Sequence, residues 1–365
     1  PRSRRGRTGA QRSARPGRRP RGRWARWSSS QGSRRAAPPR LRHSATAPRS
    51  RGAPPRRPPA GTVRRQTKTR NPGGRRAACR FCVHMHAILF CLALRPAEPV
   101  GFIGLGIMGQ GMARRLASSG QPLHVWTRGA TAASALASEH PGAVTVAESP
   151  AAVVEACSRT YLMLSTPDAC EEVYSMRGGV LEGVSDGKAL IDCATLRPED
   201  MAALAERVHE RGGSFVEAPV SGSKAPAANG ALIFMCAGDE ETFRSAEAEL
   251  AAMGKFTVFC GTTVGAASKM KLVVNLVMGT QLAALAEGLA LASALGLSSE
   301  DVQAVLDGGA MASPMVALKG PMMAKREYPT AFPLKHALKD MRFALNLAEA
   351  SDLPVSASAT GLFAA

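Results

Sequence analysis

Three features of the sequence predict a mostly parallel α/β fold followed by an all-α region, the two linked by one long helix. Short apolar runs alternate with helical stretches from Pro99 to about Gly265. A glycine-rich loop joins the first run to the first helix, and after Gly265 the strand pattern stops while a long apolar helical segment begins. Alternation of this kind lays crossover helices over both faces of a parallel sheet. The predicted division is residues 1–97 as a leader, 98–264 as the α/β domain and 265–365 as the helical domain.

Strands are predicted at Val100–Ile103, Leu123–Trp126, Tyr161–Leu164, Ala189–Asp192, Ser214–Glu217, Ala231–Ala237 and Thr257–Cys260. Met108–Ser119 reads as the first helix, and Ser149-Pro150 supplies an N-cap with proline at the first helical position. Arg197–Arg211 is helical and stops at Gly212-Gly213. The long helix runs from about Ala266 to Leu295, a further one opens at Ser298-Ser299-Glu300, and another covers about Leu334–Ala350. Leu272–Ala286 carries no charge but holds Asn275, Gly279 and Gln281, which favours a buried interdomain helix over a membrane span.

Charge is divided along the chain. Residues 1–97 hold 27 of the 47 Lys+Arg and no acid, so the remaining 20 basic residues face all 28 acids, a net of −8. The formal +19 therefore belongs to the leader and is no argument for nucleic-acid binding by the folded part. The leader is too poor in apolar residues to fold alone. It reads as a chloroplast or mitochondrial transit peptide, or as upstream sequence that is not translated, which would leave the protein cytoplasmic. A phosphate-binding tail is the third reading. The apolar stretch Phe81–Leu94 is too short for a confident span. Of eight cysteines, Cys79 and Cys82 form an isolated CxxC read as coincidence; Cys157, Cys170, Cys193, Cys236 and Cys260 read as reduced core thiols, and no metal site is expected.

The loop Gly104-Leu105-Gly106-Ile107-Met108-Gly109 follows an apolar strand and opens a helix, the context that gives GxGxxG meaning. Gly104 permits the tight turn, Gly106 lets a pyrophosphate approach the backbone, and Gly109 lets the helix pack on the strand. The helix N-terminus favours phosphate charge. These features define a Rossmann-like cofactor domain. In NAD-preferring domains an acid about 20 residues past the loop binds the ribose hydroxyls. Here the second strand ends at Thr127-Arg128 instead. Arginine can hold a 2′-phosphate that a carboxylate would repel, so NADPH/NADP+ is the expected cofactor. The loop Ser165-Thr166, after the third predicted strand, is expected to border it.

Four motifs in order resemble the β-hydroxyacid dehydrogenase family, and within it the plant-type glyoxylate/succinic semialdehyde reductases. They are Val100–Gly106, Pro219-Val220-Ser221-Gly222-Ser223-Lys224, the Lys271…Asn275 helix, and Phe332-Pro333-Leu334-Lys335-His336 leading into Lys339-Asp340. The resemblance runs from about Val100 to Val355. It implies reduction of glyoxylate to glycolate and of succinic semialdehyde to 4-hydroxybutyrate in a cleft between the domains, usually in homodimers or homotetramers. By motif position it implies Lys271 as the catalytic lysine, Thr195 and Lys339 as cofactor contacts, and Ser221, Asn275, Phe332 and Asp340 around the substrate.

Reducing an aldehyde requires a hydride and a proton for the developing alkoxide, and a lysine ammonium supplies both charge and proton. Lys271 and Asn275 are four apart and share a helix face, whereas Lys269 points about 200° away. The turn at Ser221-Gly222 can present backbone N–H groups to a substrate carboxylate. Asn275 can donate to the same carboxylate or bridge to the alkoxide, and Asp340 can orient a lysine ammonium.

Two rival readings remain at this level. One is NAD-dependent 3-hydroxyisobutyrate oxidation, which Arg128 and Ser223-Lys224 disfavour. The other is a non-catalytic nuclear relative, a branch of the family that lacks the catalytic lysine. Two departures from the family pattern stand near the catalytic helix and at the end. Ala267 replaces a glycine beside a one-residue expansion at Gly261–Gly265, which would shift the start of the helix; and relatives continue with another helix past Ala365, so a shortened helical domain is expected.

Overall fold

A computed structural model describes residues 97–348 and 353–364. The leader, Cys79, Cys82, Cys91 and Phe81–Leu94 lie outside the described residues, and with them the transit-peptide expectation.

The sheet begins with β1 (Val100–Ile103), β2 (Leu123–Trp126), β3 (Val144–Val146), β4 (Arg159–Leu162), β5 (Ala189–Asp192) and β6 (Ser214–Glu217). These six are parallel and stand in the order β3-β2-β1-β4-β5-β6. β7 (Val220–Ser221), β8 (Leu232–Gly238) and β9 (Gly254–Phe259) extend the sheet past β6. β8 runs antiparallel to β6 and β7, while β9 lies parallel to β8, so the far end is mixed. The strand order reverses beside β1, placing the crevice between the loops after β1 and β4.

Helices cover both faces because successive strand residues point to opposite sides. Phe102, Tyr161 and Val216 meet Met112, Ala113 and Leu116 of α1 (Gly109–Ser118) on one face. Ile103, Leu162 and Phe215 meet the other set: α3 (Pro150–Ala156), α4 (Pro167–Ser175) and α5 (Pro198–His209). α2 (Ala130–Glu139) adds Leu136 to the first core. Side-chain caps begin several of these helices. Ser149 accepts from the Ala152 N–H and Thr166 from the Ala169 N–H, each before a proline. α6 (Lys224–Ala228), α7 (Glu240–Ser245) and α8 (Glu247–Met253) flank the mixed end.

From Ala266 the chain is helical. α9 (Ala266–Ala294) is followed by α10 (Ser299–Gly308), α11 (Pro314–Lys325), α12 (Leu334–Leu347) and α13 (Pro354–Ala364). α9 abuts β7 and β8 at its start and then packs on α11, α12 and α13. It is long and apolar enough to cross a membrane by length and composition, yet its first half carries buried Ser268, Lys271 and Asn275. At Gly279 α12 comes close enough to bar a side chain: a Cβ there would stand 2.4 Å from the Met341 sulfur.

Several bounds differ from expectation for local reasons. β4 begins at Arg159, whose guanidinium pairs with Glu249 at 2.6 Å, and ends before Met163 and Leu164, which turn against Gly104. β9 starts at Gly254 and exposes Phe256 and Val258. Cys260, expected in the core, is only half-buried just past that strand, whereas Cys157, Cys170, Cys193 and Cys236 are buried. α12 ends at Leu347 instead of Ala350.

Candidate active site

The glycine loop is shaped by contacts that tolerate no side chain. Gly104 has φ +98°, and a Cβ there would lie 2.5 Å from the Met163 carbonyl oxygen. At Gly109 a Cβ would fall 1.9 Å from the Gly104 carbonyl oxygen. Gly106, by contrast, is exposed and faces open space. α1 starts without a side-chain cap and without an acid in its first turn, so the positive end of the helix is left unneutralised. A pyrophosphate fits this cradle: open room at Gly106, unmatched N–H groups behind it, and no competing carboxylate. Ile107 and Met108 line its rim, exposed and half-buried respectively.

Thr127 and Arg128 follow β2 on the same side of the sheet. Arg128 is exposed and pairs with Glu172 of α4, 3.0 Å away. Ser165 is exposed and Thr166 half-buried in the loop after β4. Thr166 spends its hydroxyl on capping α4.

A second group of predicted residues is joined by direct contacts. Lys271 Nζ donates to Asn275 Oδ1 at 2.8 Å, and Asn275 Nδ2 donates to Asp340 Oδ2 at 2.7 Å. Lys339 Nζ stands 2.8 Å from Asp340 Oδ1 and donates to the Thr195 carbonyl at 2.5 Å. The chain of contacts thus runs from α9 through α12 to the loop after β5, linking helical and sheet regions. The spacing explains it: Lys271 and Asn275 share one turn of α9, Gly279 lies one turn further, and the close approach at Met341 brings neighbouring Asp340 onto Asn275. Lys269, on the other side, is exposed.

Lys271 is only 6 % exposed. Burial lowers its pKa to about 8, against an upward pull from Asp340, with Lys339 adding to the lowering. It is therefore a lysine that can hold or release a proton close to neutrality. Asn275 has both amide atoms engaged, by Lys271 and Asp340, so it stands as a clamp on the ammonium. Ser221 ends β7 and Gly222, at φ +136°, turns the chain beside it. Phe332 is exposed before α12 and tilts against His336, outside the contact chain.

Three residues near the site were not singled out from the sequence. Phe343 lies under the Lys339 ammonium at 4.8 Å, with the Arg197 guanidinium 6.0 Å from the same ring. Asp192, fully buried at the end of β5, accepts from Tyr174 and the Ala194 N–H, and burial pushes its carboxyl up to about 6. Glu217, buried at the end of β6, accepts four hydrogen bonds from the start of α9. The Phe343 ring one helical turn past Lys339 is the sole sequence hint; a strand-end carboxylate carries none.

Comparison with known proteins agrees with this architecture. Residues 99–265 match the family model for the NAD-binding domain of 6-phosphogluconate dehydrogenase. Residues 265–365 match that for the NAD-binding region of NADP-dependent 3-hydroxyisobutyrate dehydrogenase. Glyoxylate/succinic semialdehyde reductase 1 of Arabidopsis thaliana is 45% identical over 266 residues, 72% of this chain and 91% of that protein. The human cytokine-like nuclear factor N-PAC is 35% identical over 262 residues, 72% of this chain and 47% of that protein. Among solved structures, Psf3 in complex with NADP+ and 2-OPP superposes with a TM-score of 0.68 at 25% identity, over 73% of this chain and 93% of that one. With both halves matched in order and a reductase 45% identical over most of its length, the chain belongs to the β-hydroxyacid dehydrogenase family of NAD(P)-dependent oxidoreductases.

Proposed function

We propose that the chain reduces small aldehyde acids, glyoxylate to glycolate and succinic semialdehyde to 4-hydroxybutyrate, with NADPH as the reductant. The observation that carries this reading is Lys271: a buried ammonium clamped by Asn275, with a pKa lowered to about 8, beside the Thr195–Lys339 contact. When bound, NADPH supplies the hydride. The glycine loop and the uncapped start of α1 hold the pyrophosphate, with Ile107 and Met108 on its rim, and Ser165, Thr166, Thr195 and Lys339 border the rest of the cofactor. Arg128, with Thr127 beside it, meets the 2′-phosphate. Backbone groups at Ser221-Gly222 receive the substrate carboxylate, and Phe332 closes over the apolar side. Lys271 Nζ hydrogen-bonds the aldehyde oxygen, stabilises the negative charge that develops there, and passes one proton to it. Asn275 and Asp340 keep the ammonium aimed, since the Asp340 carboxylate favours its charged form.

The matched description of NADP-dependent 3-hydroxyisobutyrate dehydrogenase keeps hydroxyacid oxidation as a second reading. The exposed apolar residues Val273, Val277 and Leu291 along α9 support assembly into a homodimer or homotetramer. Steady-state rates with glyoxylate, succinic semialdehyde and 3-hydroxyisobutyrate, each with the phosphorylated and unphosphorylated cofactor, separate the readings. Faster turnover of 3-hydroxyisobutyrate with NAD+ than of either aldehyde acid with NADPH would sink the proposal.

A further inference from the structure

We propose that Glu217 is a positioning residue for the reaction: its carboxylate fixes the start of the Lys271 helix to the strand that leads into the Ser221-Gly222 turn. The inference rests on the reading of Lys271 as proton donor. Glu217 closes β6 and is fully buried. Its Oε1 accepts from the backbone N–H groups of Gly265 at 2.6 Å and Ala267 at 2.9 Å. Its Oε2 accepts from the Ser268 N–H at 3.1 Å and the Ser268 hydroxyl at 2.5 Å.

The first N–H groups of a helix have no partners within it and are usually satisfied by the N-cap side chain. The N-cap of α9 is Gly265, φ +101°, which has no side chain to offer. The cap comes instead from 48 residues upstream. All four contacts donate into the carboxylate, which matches its ionised, acceptor-only form. Burial pushes the Glu217 carboxyl up, and the four donors oppose that push.

The placement is what gives the clamp a role in the chemistry. Ser268 lies one turn before Lys271, and Ser221 lies four residues after Glu217. One side chain therefore sets the distance between the proton donor and the turn assigned to the substrate carboxylate. Ala267 is fully buried with its N–H held by Glu217, so the clamp grips the helix at its first turn.

The test uses Glu217→Gln and Glu217→Asp in the full chain. Glutamine keeps the shape but replaces one acceptor oxygen with a donor; aspartate keeps the charge but is one methylene short. The expected result for Gln is a kcat lowered roughly 10²-fold, as small misplacements of reacting groups produce, with the NADPH Kd little changed. Asp recovers part of the loss. The second readout needs no turnover: competitive acetylation of Lys271 by acetic anhydride, followed against pH by peptide mass spectrometry. The parent midpoint should lie at about 8 and move upward in Glu217→Gln, as the ammonium leaves its buried place. Parent-like kcat and midpoint with only a lower Tm would overturn the proposal, and would do so equally in the Asp variant if the Gln variant fails to fold. A parent with no aldehyde-acid turnover would sink the functional reading, while the acetylation midpoint would still decide on Glu217.

Discussion

Replacing Lys271 with methionine should remove activity while leaving the protein as stable or more stable at pH 7. The parent holds its ammonium where burial lowers the pKa from 10.5 to about 8. At about 1.4 kcal/mol per unit, keeping that charge in place costs about 3 kcal/mol. Methionine has a similar length and pays no such cost, but it leaves Asn275 Oδ1 without its donor, a loss of about 1–3 kcal/mol. The net expectation at pH 7 is a gain of about 0–2 kcal/mol, with turnover cut roughly 10²-fold or more. The sign depends on pH. Below about 8 both folded and unfolded parent keep the proton, and the penalty is complete. Between about 8 and 10.5 the unfolded chain still holds a proton that the folded chain has shed, so parent stability climbs with pH. The variant lacks that climb, so its advantage should disappear and reverse by roughly pH 11. Urea unfolding of both proteins at several pH values, with turnover at each, measures all of this. A stability difference that does not change with pH would refute the burial argument, and near-parent turnover would refute the role of Lys271.

Further expectations follow from the same contacts. For the parent, aldehyde reduction needs the charged Lys271, so kcat should fall as pH rises through about 8, and hydroxyacid oxidation should rise over the same range; a flat profile over pH 7–9 for both directions would contradict this. Asp340→Asn removes the charge that pulls the Lys271 pKa up, so the alkaline limb of reduction should move to lower pH; an upward move would be contrary. Arg128→Ala should raise KM for NADPH by roughly tenfold and leave NADH nearly unaffected, the loss of one charge-assisted phosphate contact. Because Arg128 and Glu172 are both exposed, their pair contributes little by itself. Glu172→Gln should therefore change Tm little while lowering KM for NADPH, which a titration of both cofactors checks.

Much of this was written in local patterns, and some of it was not. β1, β2, β5 and β6 occupy the residues predicted for them, because each sets apolar side chains into the core: β1 is buried throughout, and β2 alternates buried Leu123 and Val125 with half-buried His124 and Trp126. α9 runs almost as expected, since its 29 residues hold no proline and single glycines such as Gly279 and Gly288 are tolerated inside a long apolar helix. β3 escaped notice because it has three residues with one buried, and β7 because two residues carry no period. The antiparallel return of β8 depends on pairing partners distant in sequence, which no local pattern records. α11 is different: Ser313-Pro314 is the same start signal as Ser149-Pro150 and was readable. In the site, the four-residue spacing identified Lys271 with Asn275, whereas Asp340 and Lys339 came from family resemblance and meet them only through the close approach of α12 at Gly279. Glu217 acts through tertiary contacts, so its place emerges only when the strands and helices are assembled, whereas Phe343 meets Lys339 one turn away on the same helix.

The most direct test of the central claim is product stoichiometry. The full chain is mixed with NADPH and glyoxylate, the fall in NADPH absorbance is recorded, and glycolate is quantified, in parallel with Lys271→Ala whose NADPH binding is checked separately. The account predicts one glycolate per NADPH consumed by the parent, and a rate lowered roughly 10²-fold or more in a variant that still binds NADPH. NADPH loss without glycolate, or an unchanged rate in Lys271→Ala, would contradict it.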